Sequence, residues 1–233
     1  MGAGAASAPY LGVGQSEEGV AQMEIFTSDQ RRSLERAGIR PESVSDETAL
    51  RQALDGFEAL IRACGDDPTR PGMENTPFRA LKAFLEYTKG YEEIPAAHLD
   101  TQFEAPSQDL VLVRDIEFFS LCEHHLAPFF GKCHVAYIPG KTITGLSKLA
   151  RVTAGFARRF QVQERMTAQI ADAVMEKLRP QGVICVIEAT HMCMAMRGAT
   201  KPDAVTTTSA IRGIFNSDSD LRAETMNLMI KGK

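Results

Sequence analysis

The order of periodicities along this chain predicts an α+β domain, with helices packed on one face of an antiparallel sheet. Two helix-period segments come first, and two pairs of strand-like runs follow with two further helix-period segments between them. That order, ββααββ after two helices, is not the strict alternation of a parallel α/β sheet. The chain has 233 residues and is 44% hydrophobic, enough to bury a sizeable core in one domain.

Residues 1–44 are rich in Gly, Ala and Ser and are expected to be a flexible N-terminal extension with a short helix near 27–37. The ordered domain, 45–233, begins with a helical segment over 45–90. Its first helix follows a Ser45 or Asp46 cap and carries Leu50, Leu54, Phe57, Leu60, Ile61 and Cys64 on one face. Its second has Thr76 as cap, Pro77 in the first turn, Phe78, Leu81, Phe84 and Leu85 inward, and Gly90 as stop. The sheet and its helices occupy 105–233. Strands are expected at about 109–120 and 131–139, and helices at 147–160 and 163–179. The helices carry the stripes Leu149, Val152, Phe156, Phe160 and Met166, Ile170, Val174, Leu178. After the turn Pro180, Gln181, Gly182, strands are expected at 183–196 and about 204–215. There is no internal repeat.

A formal net charge of -4 and a pI near 5.8 argue against a general nucleic-acid or membrane-surface binder. The opening "MGAGAASAPYLGVG" has neither the basic nor the apolar region of a secretory leader, and position 6 lacks the Ser or Thr of a myristoylation signal. Cytoplasm is the expected compartment. Five cysteines, an odd number in a chain this long, fit reduced thiols and metal ligation better than a disulfide framework.

The chemistry concentrates in "FFSLCEHHLAPFFGKCHVAYIPG", residues 118–140. Cys122 and His125 have the C-x-x-H spacing that lets two ligands reach one ion from a single turn. The bland alternative makes Cys122 a small core residue and His124 and His125 turn caps before Pro128. A third ligand comes from "VICVIEATHMCMAMRG". Read as a strand, it sets His191, Cys193, Ala195 and Arg197 on one face and Met192, Met194 and Met196 on the other, the latter facing the core. Cys122, His125 and Cys193 then supply three N/S ligands, the count of a catalytic zinc site that keeps a fourth position for water. His124 and His191 remain as unligated imidazoles for proton transfer.

Ser147 opens the third helix, and Lys148 and Arg151 project near its N-terminal end, where free N–H groups and the dipole favour an anion. The pair is either a solvated face or, with Arg197, a polyphosphate site. Gln163 and Glu164 sit between the two helices. They cap the second, or a carboxylate there accepts from the N1–H and exocyclic amine of guanine.

Taken together, "SLCEHHLAPFFGKCHVAYIPG", "GLSKLARVTAGFARRFQVQERMTAQIADAV" and "HMCMAMRGATKPDAVTTTSAIRGIF" closely resemble GTP cyclohydrolase I over about residues 45–233. The resemblance implies a tunnelling fold, in which subunits pair sheets into a barrel. It also implies a homodecamer of two stacked pentamers, with active sites between subunits. It assigns zinc to Cys122, His125 and Cys193, and proton transfer to His124 and His191. Lys148, Arg151 and Arg197 match triphosphate contacts, Gln163 and Glu164 guanine contacts, and Ser147 a catalytic-site residue near the ribose. The implied reaction opens the imidazole ring of GTP at C8, releases formate and recloses the product as 7,8-dihydroneopterin triphosphate, the first step toward folates and tetrahydropterins. Competing classes are a structural zinc module closed by Cys133 or His191, a tunnelling-fold nitrile reductase using a Cys nucleophile and a nicotinamide cofactor, and a non-catalytic nucleotide-binding protein.

Overall fold

A computed structural model describes residues 25–40 and 46–230 and divides the chain into two compact units, 1–79 and 80–233. Most of the expected flexible extension, 1–24 and 41–44, lies outside the described residues. In the first unit, the helix expected near 27–37 is α1 (Ser28–Ala37). Its N-terminus is closed by a reciprocal cap: Thr27 Oγ1 accepts from Gln30 N–H, and Gln30 Oε1 accepts from Thr27 N–H. Gly38 ends it at φ 74°, a left-handed position that suits glycine. Phe26, Leu34 and Ile39 are buried, although the composition of this stretch gave no sign of a core role. α2 (Glu47–Ala63) starts on the Asp46 carboxylate, which accepts from Ala49 N–H at 3.0 Å. Arg51 on α2 donates to Gln30 and to the Ile25 carbonyl, tying the two helices together. Leu50 and Leu54 of the expected stripe are buried, whereas Leu60 and Cys64 are exposed.

α3 (Thr76–Tyr87) buries Leu81, and Gly90 follows in a 3₁₀ turn. A Cβ at Gly90 would lie 2.2 Å from the Gly155 carbonyl, so this glycine permits a close approach as well as ending a helix.

The second unit is built on a five-stranded sheet. Its strands are β2 (Val111–Cys122), β3 (Pro128–Ile138), β5 (Phe160–Gln161), β6 (Gly182–His191) and β7 (Thr206–Gly213), in the order β5-β2-β3-β6-β7. All pairings are antiparallel except the two-residue parallel contact of β5 with β2. A separate small ladder joins β1 (Gln102–Glu104) to β4 (Thr142–Thr144).

α4 (Leu146–Ala157) and α5 (Gln163–Leu178) lie on one sheet face. Leu149, Val152, Met166, Ile170, Val174 and Leu178 pack there against Cys133, Val135, Tyr137, Val183, Cys185 and Ile187. Each such side chain contributes roughly 1.5–3 kcal/mol by leaving water. α7 (Ile214–Ser217) and α8 (Ser219–Ile230) cover one end of the other face, where Phe215 and Met229 meet Ala136, Ile138, Ile184 and Val186. α8 has no counterpart among the expected elements. Leu221, Met226, Leu228 and Met229 do not keep one helical stripe, so periodicity is silent there.

Two expectations fail. The helix expected to run to 160 ends at Ala157, and Phe160 of its stripe lies in β5. The strand expected over 183–196 stops at His191, and Met192–Ala195 form the helical turn α6. His191 pairs with Phe129, one residue from where β3 begins at Pro128, and β7 reaches only Ala189. Beyond that point no strand remains on either side. The backbone satisfies itself locally instead, with Met196 N–H donating to the Met192 carbonyl. The alternation of His191, Cys193 and Arg197 against three buried methionines therefore does not exist, and Met196 is 71% exposed.

On the β3–β6 ladder, Gly131 stands opposite Ala189. A Cβ there would lie 1.9 Å from the Glu188 carbonyl oxygen, so the strands sit closer than a side chain would allow.

Candidate active site

β2 and β6 both end at the same edge of the fold, on either side of the start of β3. Cys122 closes β2 and is buried. Its carbonyl accepts from the N–H groups of both His125 and Leu126, and its own N–H donates to Ala127. This one-turn loop sets residues i and i+3 on the same side, and Leu126 completes it at φ 53°. The helical turn after β6 carries Cys193 toward the same point. The donor atoms of Cys122, His125 and Cys193 all lie within 4.8 Å of one another.

Cys122 alone does not separate the two adjacent histidines. Its Sγ lies 3.7 Å from His124 Nδ1 and 3.9 Å from His125 Nδ1. The distinction comes from Cys193, which converges with His125 and not His124. A tetrahedral zinc site holds sulfur at about 2.3 Å and nitrogen at about 2.0 Å, which puts its donors about 3.5–3.8 Å apart. Two thiols and an imidazole at the observed spacing fit such an ion after a small inward movement. Neither candidate for a fourth ligand belongs to the cluster. Cys133 is buried in the sheet against Cys185, with the sulfurs 3.7 Å apart, and His191 is engaged elsewhere.

The His191 ring is held on two sides. Phe129 stacks on it at 4.5 Å with the planes 3° apart, and Gln163 Oε1 lies 2.7 Å from its Nε2. Burial pushes the imidazole below the usual histidine range, against a smaller upward pull from the Glu164 carboxylate. Gln163 is only 2% exposed, and its amide nitrogen faces the Ile187 and Thr206 carbonyls and Thr208 Oγ1. Glu164, the next residue, is exposed.

Glu123, beside the loop histidines, is gripped by Arg165, which also reaches Gln161 Oε1 and the Phe160 carbonyl. The Arg165 hydrogen bond holds the Glu123 carboxyl below its usual range. Sequence reasoning missed this clamp and the Phe129 stack. Phe129 is 62 residues from His191 and meets it only through strand register.

The remaining expected residues divide by position. Arg197 follows Cys193 after the short turn and is exposed. Ser147, Lys148 and Arg151 are elsewhere. α4 ends next to β5, whose Gln161 pairs with Cys122, and runs for 12 residues from its start. A 12-residue helix is about 18 Å long, so the first residues of α4 start that far along its axis from its β5 end. Gly145 caps the helix without a side-chain hydrogen bond, and no acidic residue occupies the first turn.

A family model described as GTP cyclohydrolase I matches residues 54–230. The chain belongs to the GTP cyclohydrolase I family. Among relatives of that family is the GTP cyclohydrolase 1 of Carboxydothermus hydrogenoformans, 54% identical over 171 residues, 73% of this chain and 89% of the relative. That of Halalkalibacterium halodurans is 55% identical over 174 residues, 74% of this chain and 92% of the relative. That of Dictyostelium discoideum is 48% identical over 191 residues, 82% of each chain. The family's α+β tunnelling fold is the fold of this chain. Its matched span contains every candidate site residue named above.

Proposed function

We propose that this chain opens the imidazole ring of GTP at C8, releases formate, and rearranges and closes the product to 7,8-dihydroneopterin triphosphate. The observation that carries the reading is the convergence of Cys122, His125 and Cys193 at the mouth of a sheet whose neighbouring histidine, His191, is already oriented. Zinc held by those three residues would supply Lewis-acid polarisation and water activation.

The chain's own groups do the rest. A purine nitrogen at N7 must gain a proton for water to add at C8, and His124, exposed beside the cluster, or His191 delivers it. One water opens the ring to a formamide and a second releases formate, leaving an amine and an opened ribose. The Amadori-type rearrangement and the closure, which expels water, need repeated proton transfer, and two unligated histidines meet that need. Glu164 is free to accept from guanine, Ser147 sits by the ribose, and Lys148, Arg151 and Arg197 neutralise the triphosphate.

Ser147 and Lys148 begin α4, a helix length from its β5 end, and Arg151 lies midway along it, whereas the cysteines lie at the ends of β2 and β6. A shared site between copies resolves the separation. A homodecamer of two pentamers, with sheets paired edge to edge, supplies it. Among the described residues no helix is long and apolar enough to cross a membrane, and all five cysteines are unpaired thiols. The compartment this reading assigns is the cytoplasm. Incubation with GTP tests the reading: formate and a pterin chromophore are expected, and the absence of both overturns it.

A further inference from the structure

Gln163 is one of two adjacent residues, with Glu164, placed at the guanine by resemblance, yet it is buried and both ends of its side-chain amide already have partners within the chain. Its Nε2 has two hydrogens and three acceptors around it: the Ile187 carbonyl at 3.1 Å, the Thr206 carbonyl at 2.9 Å and Thr208 Oγ1 at 3.1 Å. The hydroxyls continue in one consistent direction. Thr208 donates to Thr167 Oγ1 at 2.6 Å, and Thr167 donates back to the Gln163 carbonyl at 2.7 Å.

This surround fixes which way the amide points. Carbonyl oxygens only accept, so the nitrogen must face Ile187 and Thr206, and turning the amide over would set oxygen against two oxygens. Oε1 is therefore the atom 2.7 Å from His191 Nε2, and that nitrogen must carry the hydrogen. Phe129 holds the ring plane from the other side. His191 Nδ1 makes no hydrogen bond among the described residues.

We infer that Gln163 is a positioning residue, which holds His191 in the Nε2–H form and reserves Nδ1 for proton exchange with the substrate, and that it does not read the base. Guanine recognition falls to Glu164, whose carboxylate is exposed. The inference rests on the ring-opening reading above and assigns one of its proton carriers a fixed tautomer.

The test is a double-mutant cycle on the assembled protein with Gln163→Ala, His191→Ala and the pair, following formate release from GTP, zinc content and thermal melting. Gln163→Ala is expected to keep zinc and a KM near the parent's while kcat falls about 10- to 100-fold, part of what positioned proton transfer supplies. The double variant is expected to be no slower than His191→Ala. If Ala at this buried site prevents folding, Gln163→Met, which fills the volume without accepting from His191, takes its place in the cycle. A Gln163 variant whose defect lies in KM, or whose loss multiplies with that of His191→Ala, overturns the inference alone. A parent that releases no formate overturns the functional reading and this inference with it.

Discussion

The thiol end of the sheet and the N-terminus of α4 carry the two halves of the candidate chemistry and are built in opposite ways. At the thiol end several polar groups are held by other residues of the same chain. Gln163 orients His191, Arg165 grips Glu123, and the Cys122 carbonyl organises the loop that carries His125. At the start of α4 nothing is arranged in advance. Lys148 stands in a first turn with no acid and no side-chain cap, and Arg151 follows in the next, where the helix dipole opposes the pair until an anion arrives. Groups that must hold a cation and pass protons need fixed geometry, whereas groups that bind a flexible polyphosphate need charge.

The largest effect should come from breaking the organised end. Cys122→Ser or Cys193→Ser is expected to lose zinc and to reduce formate release to background. Stoichiometric zinc with full turnover in either variant would remove the metal assignment. His124→Ala and His125→Ala sharpen the same point: the first should keep zinc near parental content yet fail in turnover, and the second should lose the metal. The reverse pattern would exchange their roles, as the near-equal distances to Cys122 allow.

A smaller effect is expected at the unorganised end. Arg151→Ala should weaken GTP binding about 10- to 150-fold, the equivalent of one charge-assisted hydrogen bond of about 1.5–3 kcal/mol. Zinc content should not change. Co-expressing Arg151→Ala with Cys122→Ser tests whether the halves belong to different copies. At low GTP Cys122→Ser is inactive and Arg151→Ala retains about a tenth or less of parental turnover, and random mixing should restore up to about a quarter if neighbours share a site. No recovery at all would mean that the two halves are not shared between copies.

The smallest effect concerns the end of β6. Met196→Ser should change stability by less than about 0.5 kcal/mol in denaturant unfolding, as expected of an exposed turn and not of a core strand. A loss of several kcal/mol would restore the strand reading.

What was legible in the sequence follows the range of the interactions. The Cys122–His125 spacing is a property of four residues, and the Met166, Ile170, Val174, Leu178 stripe of one helix, so both can be read without knowing the fold. The extent of β6 depends on where β3 and β7 stop, information more than ten residues away on either side, and the period-two run "HMCMAMR" masks it. Gln163 was read from its neighbour's chemistry, but its partners lie 24 to 45 residues downstream. The separation of Lys148 and Arg151 from the cysteines depends on the direction in which α4 crosses the sheet, and no local pattern encodes that direction.

The narrow rung at Gly131 bears on the geometry of the site. Neighbouring strands ordinarily run about 4.8 Å apart, and Gly131 lets the Glu188 carbonyl occupy the space where a Cβ would stand. Two rungs further on, the same two strands carry Phe129 and His191. Gly131 and the stacked pair of Phe129 and His191 therefore share one strand ladder, two rungs apart. A methyl group at 131 would have to displace the Glu188 carbonyl, and the strand pair it disturbs is the one that holds the His191 ring against Phe129.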